Sequence, residues 1–210
     1  MSSIRKVILV GDTKVGKTAI TVRSVHNSFV EGAPTIGVDF FRKTLLLKTG
    51  RSLQARIYDT SGQERFKSLS RSFFQGSDCC IAVASFDVDS SVHKLESWIE
   101  LVKEHCDEEE TVFLLVMNKI DLPGALDDSG MYPVSKADIE AAASKLGFSK
   151  VYYTSAKTGE GINELFSDMG EKLVGAAPLP DDPVSPSAPK PLDITPKTKP
   201  TKKAKKCNIF

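Results

Sequence analysis

Eight residues near the start of the chain, Gly11-Asp12-Thr13-Lys14-Val15-Gly16-Lys17-Thr18, leave few folds open to it. They follow a β-branched run, Ile4 to Val10, and lead into a helical pattern from Gly16 to His26. A glycine-bearing loop between a strand and a helix turns successive backbone N–H groups toward one point. The helix N-terminus adds positive dipole, so the segment makes a cradle for phosphate. In the spacing GxxxxGK[ST], Lys17 bridges the β- and γ-phosphate oxygens and the Thr18 hydroxyl reaches magnesium. The expected contact segment runs on to Ala19. It does not choose between adenine and guanine nucleotides.

Such a loop belongs in an α/β sheet domain, and the chain supplies the rest of one. Short β-branched runs alternate with amphipathic stretches as far as about Val174. Phe40–Lys48 and Arg51–Asp59 flank Thr49-Gly50 and read as a hairpin that adds one antiparallel edge strand. Cys79–Ser85, Val112–Asn118 and Val151–Thr154 complete six strands. Helical spacing recurs over Ser91–Cys106, where Leu95, Trp98 and Ile99 form a core face, and over Ser135–Leu146 and Gly161–Gly175. The expected fold is doubly wound: a six-stranded, mostly parallel sheet with one antiparallel edge strand, flanked by about five helices.

The domain is expected over residues 1–175, with a tail of different character over 176–210. Eight of the 11 prolines lie in that tail, which cannot bury enough apolar surface to offset its ordering entropy. If extended, it reaches on the order of 100 Å. A net charge of +1 gives no case for nucleic acid as a partner. Cys79, Cys80, Cys106 and Cys207 have neither disulfide-scaffold nor zinc spacing, which fits a reducing compartment. Cys79 and Cys80 read as small buried hydrophobes on opposite sides of one strand. No apolar run is long enough to span a bilayer, and Met1 to Lys6 is too polar for a signal peptide.

Three further segments choose the nucleotide. Asn118-Lys119-Ile120-Asp121 follows a strand at the carboxyl edge of the sheet, where open α/β folds bind ligands. The Asp121 carboxylate accepts from N1–H and the exocyclic amine of guanine, a donor pair that adenine lacks. Ser155-Ala156-Lys157 follows the last strand, with the Ala156 N–H placed for the guanine carbonyl oxygen and the Lys157 stem for base or ribose. Asp59-Thr60-Ser61-Gly62-Gln63-Glu64 supplies a carboxylate (Asp59) for magnesium through water, an N–H (Gly62) for the γ-phosphate and a side chain (Gln63) to orient the attacking water. Thr35 offers a second hydroxyl to the metal.

These residues resemble the Ras superfamily of small GTPases, and within it the Rab branch, over residues 4 to 175. The order of motifs carries the likeness. Thr35-Ile36-Gly37-Val38-Asp39-Phe40, Arg56-Ile57-Tyr58-Asp59-Thr60-Ser61-Gly62-Gln63-Glu64-Arg65-Phe66 and Lys67 to Gly76 resemble the stretches by which Rabs differ from other branches. By that resemblance Phe29 stacks on guanine, and Phe40, Tyr58 and Phe73 belong to an effector surface with Ile36, Gly37, Val38 and Asp39. It implies a switch in vesicle trafficking that cycles between GTP and GDP. It also implies an exchange factor, an activating protein, effectors and a prenyl-binding escort, a monomeric domain, and a place on the cytoplasmic face of an intracellular membrane in exchange with cytosol.

The chain departs from the Rab pattern in several places. Thr13 and Lys14 replace the commoner Ser-Gly, the segment between Phe29 and Thr35 is one residue shorter, and Tyr58 and Ser61 stand for Trp and Ala. The loop from Leu122 to Pro133 is longer. Cys207-Asn208-Ile209-Phe210 fits a prenylation signal loosely, with geranylgeranyl favoured by the terminal Phe. Lys197, Lys199, Lys202, Lys203, Lys205 and Lys206 supply a second membrane signal. Two rival readings share the phosphate cradle: a module that signals by nucleotide loading with little or no hydrolysis, and a metabolic phosphotransferase, for which the chain has no evident lid or acceptor pocket.

Overall fold

The computed structural model describes residues 4–30, 35, 37–61, 73–127 and 130–176. Six strands form one sheet: β1 (Ile4–Val10), β2 (Val38–Leu46), β3 (Ser52–Thr60), β4 (Cys79–Ser85), β5 (Val112–Asn118) and β6 (Val151–Thr154). Their order is β2-β3-β1-β4-β5-β6. Every neighbouring pair is parallel except β2 and β3, which run antiparallel from Val38 opposite Thr60 to Leu46 opposite Ser52. The expected edge hairpin is therefore present. Its turn closes through Gly50 N–H donating to Leu47 O and Leu47 N–H to Arg51 O, both at 2.9 Å. Gly50 sits at φ 79°, where a side chain would be strained.

Among the described residues five helices cover the sheet: α1 (Lys17–His26), α2 (Ser90–His93), α3 (Leu95–Lys103), α4 (Lys136–Lys145) and α5 (Ile162–Ala176). The helix expected over Ser91–Cys106 is divided. Lys94 separates α2 from α3, and its side chain is drawn away to an ion pair described below.

The alternation of side chains along the strands builds two core layers. All seven residues of β4 are buried, as suits a strand covered on both faces. Cys79, Ile81 and Val83 pack with Ile20 of α1 and Leu165 and Met169 of α5. Cys80, Ala82 and Ala84 face the other way, onto Trp98, Ile99 and Ile139 of α3 and α4. The two adjacent cysteines thus occupy opposite layers, and burial raises both thiols above their ordinary range.

α4 begins at a reciprocal cap. Ser135 Oγ accepts from the Asp138 N–H at 3.1 Å, and the Asp138 carboxylate accepts from the Ser135 N–H at 2.8 Å. Because β1, β3, β4, β5 and β6 are parallel, the loops that follow Val10, Thr60, Ser85, Asn118 and Thr154 converge at one edge. The candidate site lies there.

Candidate nucleotide site

A cleft of about 460 Å³ opens along that edge. At one end it is lined by Thr13, Lys14, Gly16, Lys17, Thr18 and Ala19, with Thr35 and Ser61 beside them. Phe29 and Val30 form part of the wall. Asp87, Asn118, Lys119, Asp121, Leu122, Ala156 and Lys157 line the other end. Motifs spread over nearly 150 residues of sequence therefore share one surface.

The cradle is fixed by close packing as much as by its glycines' freedom. Gly11 at φ 140° lies so near β4 that a Cβ would stand 2.2 Å from the Val83 carbonyl oxygen. A Cβ on Gly16 would meet Asn118 Nδ2 at 2.3 Å. Asn118 in turn donates from Nδ2 to Val15 O at 2.9 Å, locking the cradle to the base end. Lys14 takes up a left-handed φ of 68°, a conformation costly for a residue with a Cβ, and is an exposed part of the cleft lining.

Lys17 is only 6% exposed. Its ammonium donates to Gly11 O at 3.1 Å and Asp12 O at 2.9 Å. Burial lowers its pKa to about 8, against the opposing pull of Asp59 and Asp12. Asp59, 0% exposed, accepts on Oδ2 from Thr18 Oγ1 at 2.5 Å and Thr35 Oγ1 at 3.3 Å, and the two hydroxyls lie 2.7 Å apart. Its Oδ1 is buried without a hydrogen bond, and burial pushes its carboxyl above the usual range despite the Thr18 hydroxyl and Lys17. Two hydroxyls and the Asp59 carboxylate, whose Oδ1 makes no hydrogen bond, are hard oxygen donors. That set fits magnesium, which favours oxygen ligands and keeps waters between itself and some of them.

At the base end Ser155 Oγ donates to Asp121 Oδ1 at 2.5 Å. Lys119, also left-handed at φ 68°, holds Asp87 through both carboxylate oxygens at 2.8 and 2.7 Å. The Asp12 side chain does not line the cleft: it faces Lys94 Nζ at 3.0 Å, Ser90 Oγ and its neighbour's N–H. Burial would raise the Asp12 carboxyl, but those donors outweigh it and hold it low. The Ala156 N–H, expected to face guanine, donates here to Asn118 Oδ1 at 3.2 Å. Gly11, Val15, Asp59 and Ser155 stand behind the lining and support it. Gly62, Gln63, Ile36 and Cys207 lie outside the described residues.

A sequence model of the Ras family matches residues 6–174. The chain belongs to the Ras family. Within it the relatives are of the Rab and Ypt type. The GTP-binding protein ypt5 of Schizosaccharomyces pombe is 36% identical over 170 residues, covering 80% of this chain and 77% of that one. Ras-related protein Rab-18 of Caenorhabditis elegans is 33% identical over 183 residues, with 84% and 83% covered. The Ypt/Rab-type GTPase YPT7 of Saccharomyces cerevisiae is 33% identical over 176 residues, with 82% of each covered.

This Rab-type small GTPase hydrolyses GTP to GDP and serves membrane trafficking. Sequence reasoning about the GTPase missed Arg23, Asp87, Ser90 and Lys94. None sits in a recognisable motif, and each acts through a partner distant in sequence. On the flank of the GTPase, Phe40 (57% exposed), Tyr58 and Phe73 form a continuous aromatic run, with ring centroids 6.4 and 6.2 Å apart. Gly37 is tied to it by the Ser61 N–H, which donates to Gly37 O at 2.9 Å, and Val38 and Asp39 begin β2 beside it.

Proposed function

We propose that the cleft holds GTP with its phosphates on Gly11–Ala19 and its base between Phe29 and the Asn118–Asp121 and Ser155–Lys157 segments. The observation that carries this is the convergence of Thr18, Thr35, Asp59 and Lys17 at one end of a cleft whose other end presents Asp121. Thr18 and Thr35 would hold magnesium, with Asp59 acting through water; the bound ion neutralises charge on the β- and γ-phosphates.

Lys17 leaves its two backbone acceptors for phosphate oxygens, and charge on the phosphates restores the proton affinity that burial removes. Backbone amides of the cradle and of Gly62 donate to oxygens whose charge grows as the bond to the γ-phosphate breaks. Gln63 orients the attacking water in line with that bond. Unaided turnover is slow, and an activating protein speeds it. With Thr35 held through magnesium and the Gly62 N–H given to the γ-phosphate, loss of that phosphate would free the segments that carry them, and the aromatic run Phe40-Tyr58-Phe73 with Ile36–Asp39 is the effector surface that would change with it. An exchange factor, a prenyl-binding escort and a lipid on Cys207 complete the proposal. They place a monomeric domain on the cytoplasmic face of an intracellular membrane, in exchange with cytosol. Among the described residues no helix is long and apolar enough to cross a membrane.

Gln63→Leu tests the catalytic assignment. Single-turnover phosphate release from GTP-loaded protein should fall by about tenfold or more while GTP affinity stays within twofold. An unchanged rate removes Gln63 from the mechanism, and no release even from the unsubstituted protein favours the loading-only module.

A further inference from the structure

Arg23 occupies the last turn of α1, where a basic residue ordinarily complements the helix dipole. Its guanidinium does more than that. Nε donates to Ala156 O at 2.7 Å and Nη2 to Lys157 O at 2.5 Å, both in the loop after β6. Nη1 donates to Asn27 O at 3.0 Å, at the left-handed residue that caps α1, two positions before Phe29. One planar cation thus ties together two walls of the base end that are more than 120 residues apart in sequence. The tie continues inward. Ser155 precedes Ala156 in the same loop and donates to Asp121, while the Thr158 N–H donates back to Ser155 Oγ at 3.0 Å.

We propose that Arg23 is a positioning residue that sets how long, and how selectively, the cleft holds a guanine nucleotide. It lines no part of the cleft, and its hydrogen bonds go to carbonyls of the loop after β6 and of the α1 cap, so it acts on base retention and not on the chemical step. A guanidinium suits the task. It presents donors in a rigid fork, which lets one side chain hold three carbonyls. A lysine offers a single flexible ammonium and cannot reproduce that geometry. The inference rests on the assignment of the cleft to a guanine nucleotide.

The test uses the full chain loaded with methylanthraniloyl-GDP in magnesium buffer, as wild type, Arg23→Gln and Arg23→Lys. Release should quicken about tenfold in R23Q, the scale of losing a charge-assisted hydrogen bond, and by less in R23K. The preference for GDP over IDP, which lacks the exocyclic amine facing Asp121, should narrow. Single-turnover hydrolysis of bound GTP should stay within twofold of wild type. R23K keeps the charge and carries the same test where R23Q folds poorly. Release within twofold of wild type in both variants overturns the proposal, and so does faster release with an unchanged GDP-to-IDP preference, which marks general loosening. A wild type that does not prefer GDP to ADP overturns the assignment of the cleft itself, and the proposal with it.

Discussion

Lys17 is held as a buried cation whose proper partner is the ligand. In the unfolded chain its pKa is the ordinary 10.5; in the fold burial brings it to about 8. Below pH 8 both states are protonated, and the fold bears the full cost of the buried charge, on the order of 3 kcal/mol. Between about 8 and 10.5 the folded lysine gives up its proton first, so the cost shrinks and stability rises with pH. Lys17→Met should therefore stabilise the nucleotide-free protein against urea at pH 7, with the gain fading by pH 10, while GDP binding is lost. A destabilised variant at pH 7 would contradict this reading of the site. The same residue was legible in the sequence because its role lies in a local spacing. Arg23, Lys94 and Asp87 were not, since each makes its contact across the fold and nothing in the neighbouring residues marks it.

At the scale of elements, legibility followed burial. β1, β4 and β5 have the bounds their β-branched runs suggest, because each is a central strand whose core-facing residues leave no alternative register, and the four-residue edge strand β6 keeps its expected bounds too. The edge hairpin shifts by one or two residues at its ends, where β2 is mostly exposed and pairing decides the limits. The break between α2 and α3 was hidden because the amphipathic period runs on through Lys94. Lys94, where the helix divides, keeps a right-handed backbone and sends its side chain to Asp12 in the phosphate cradle. α4 shows the opposite case, since helical spacing over Ser135–Leu146 met a helix that starts just after the Ser135 cap. Ser135→Ala removes one half of that cap and should lower stability by about 1 kcal/mol in urea, leaving GDP release unchanged because α4 adds no residue to the cleft lining. A change in release rate would mean that α4 is coupled to the base loops through the core.

For the whole molecule, the consequence of a parallel sheet is that five strand ends deliver their loops to one edge. One cleft therefore gathers charge-neutralising groups at one end and a donor-reading carboxylate at the other. The order of motifs along the chain made this arrangement readable before any coordinates. What it did not reveal was the network behind the lining, in which Asn118 joins cradle to base loop and Asp59 gathers Thr18 and Thr35. The most direct trial is displacement of methylanthraniloyl-GDP by GDP or ADP, with magnesium and after its removal by EDTA. GDP should compete at least about a thousandfold better than ADP, since Asp121 has no donor pair to meet on adenine, and EDTA should speed release. Equal competition by ADP, or release indifferent to the divalent ion, would contradict the account.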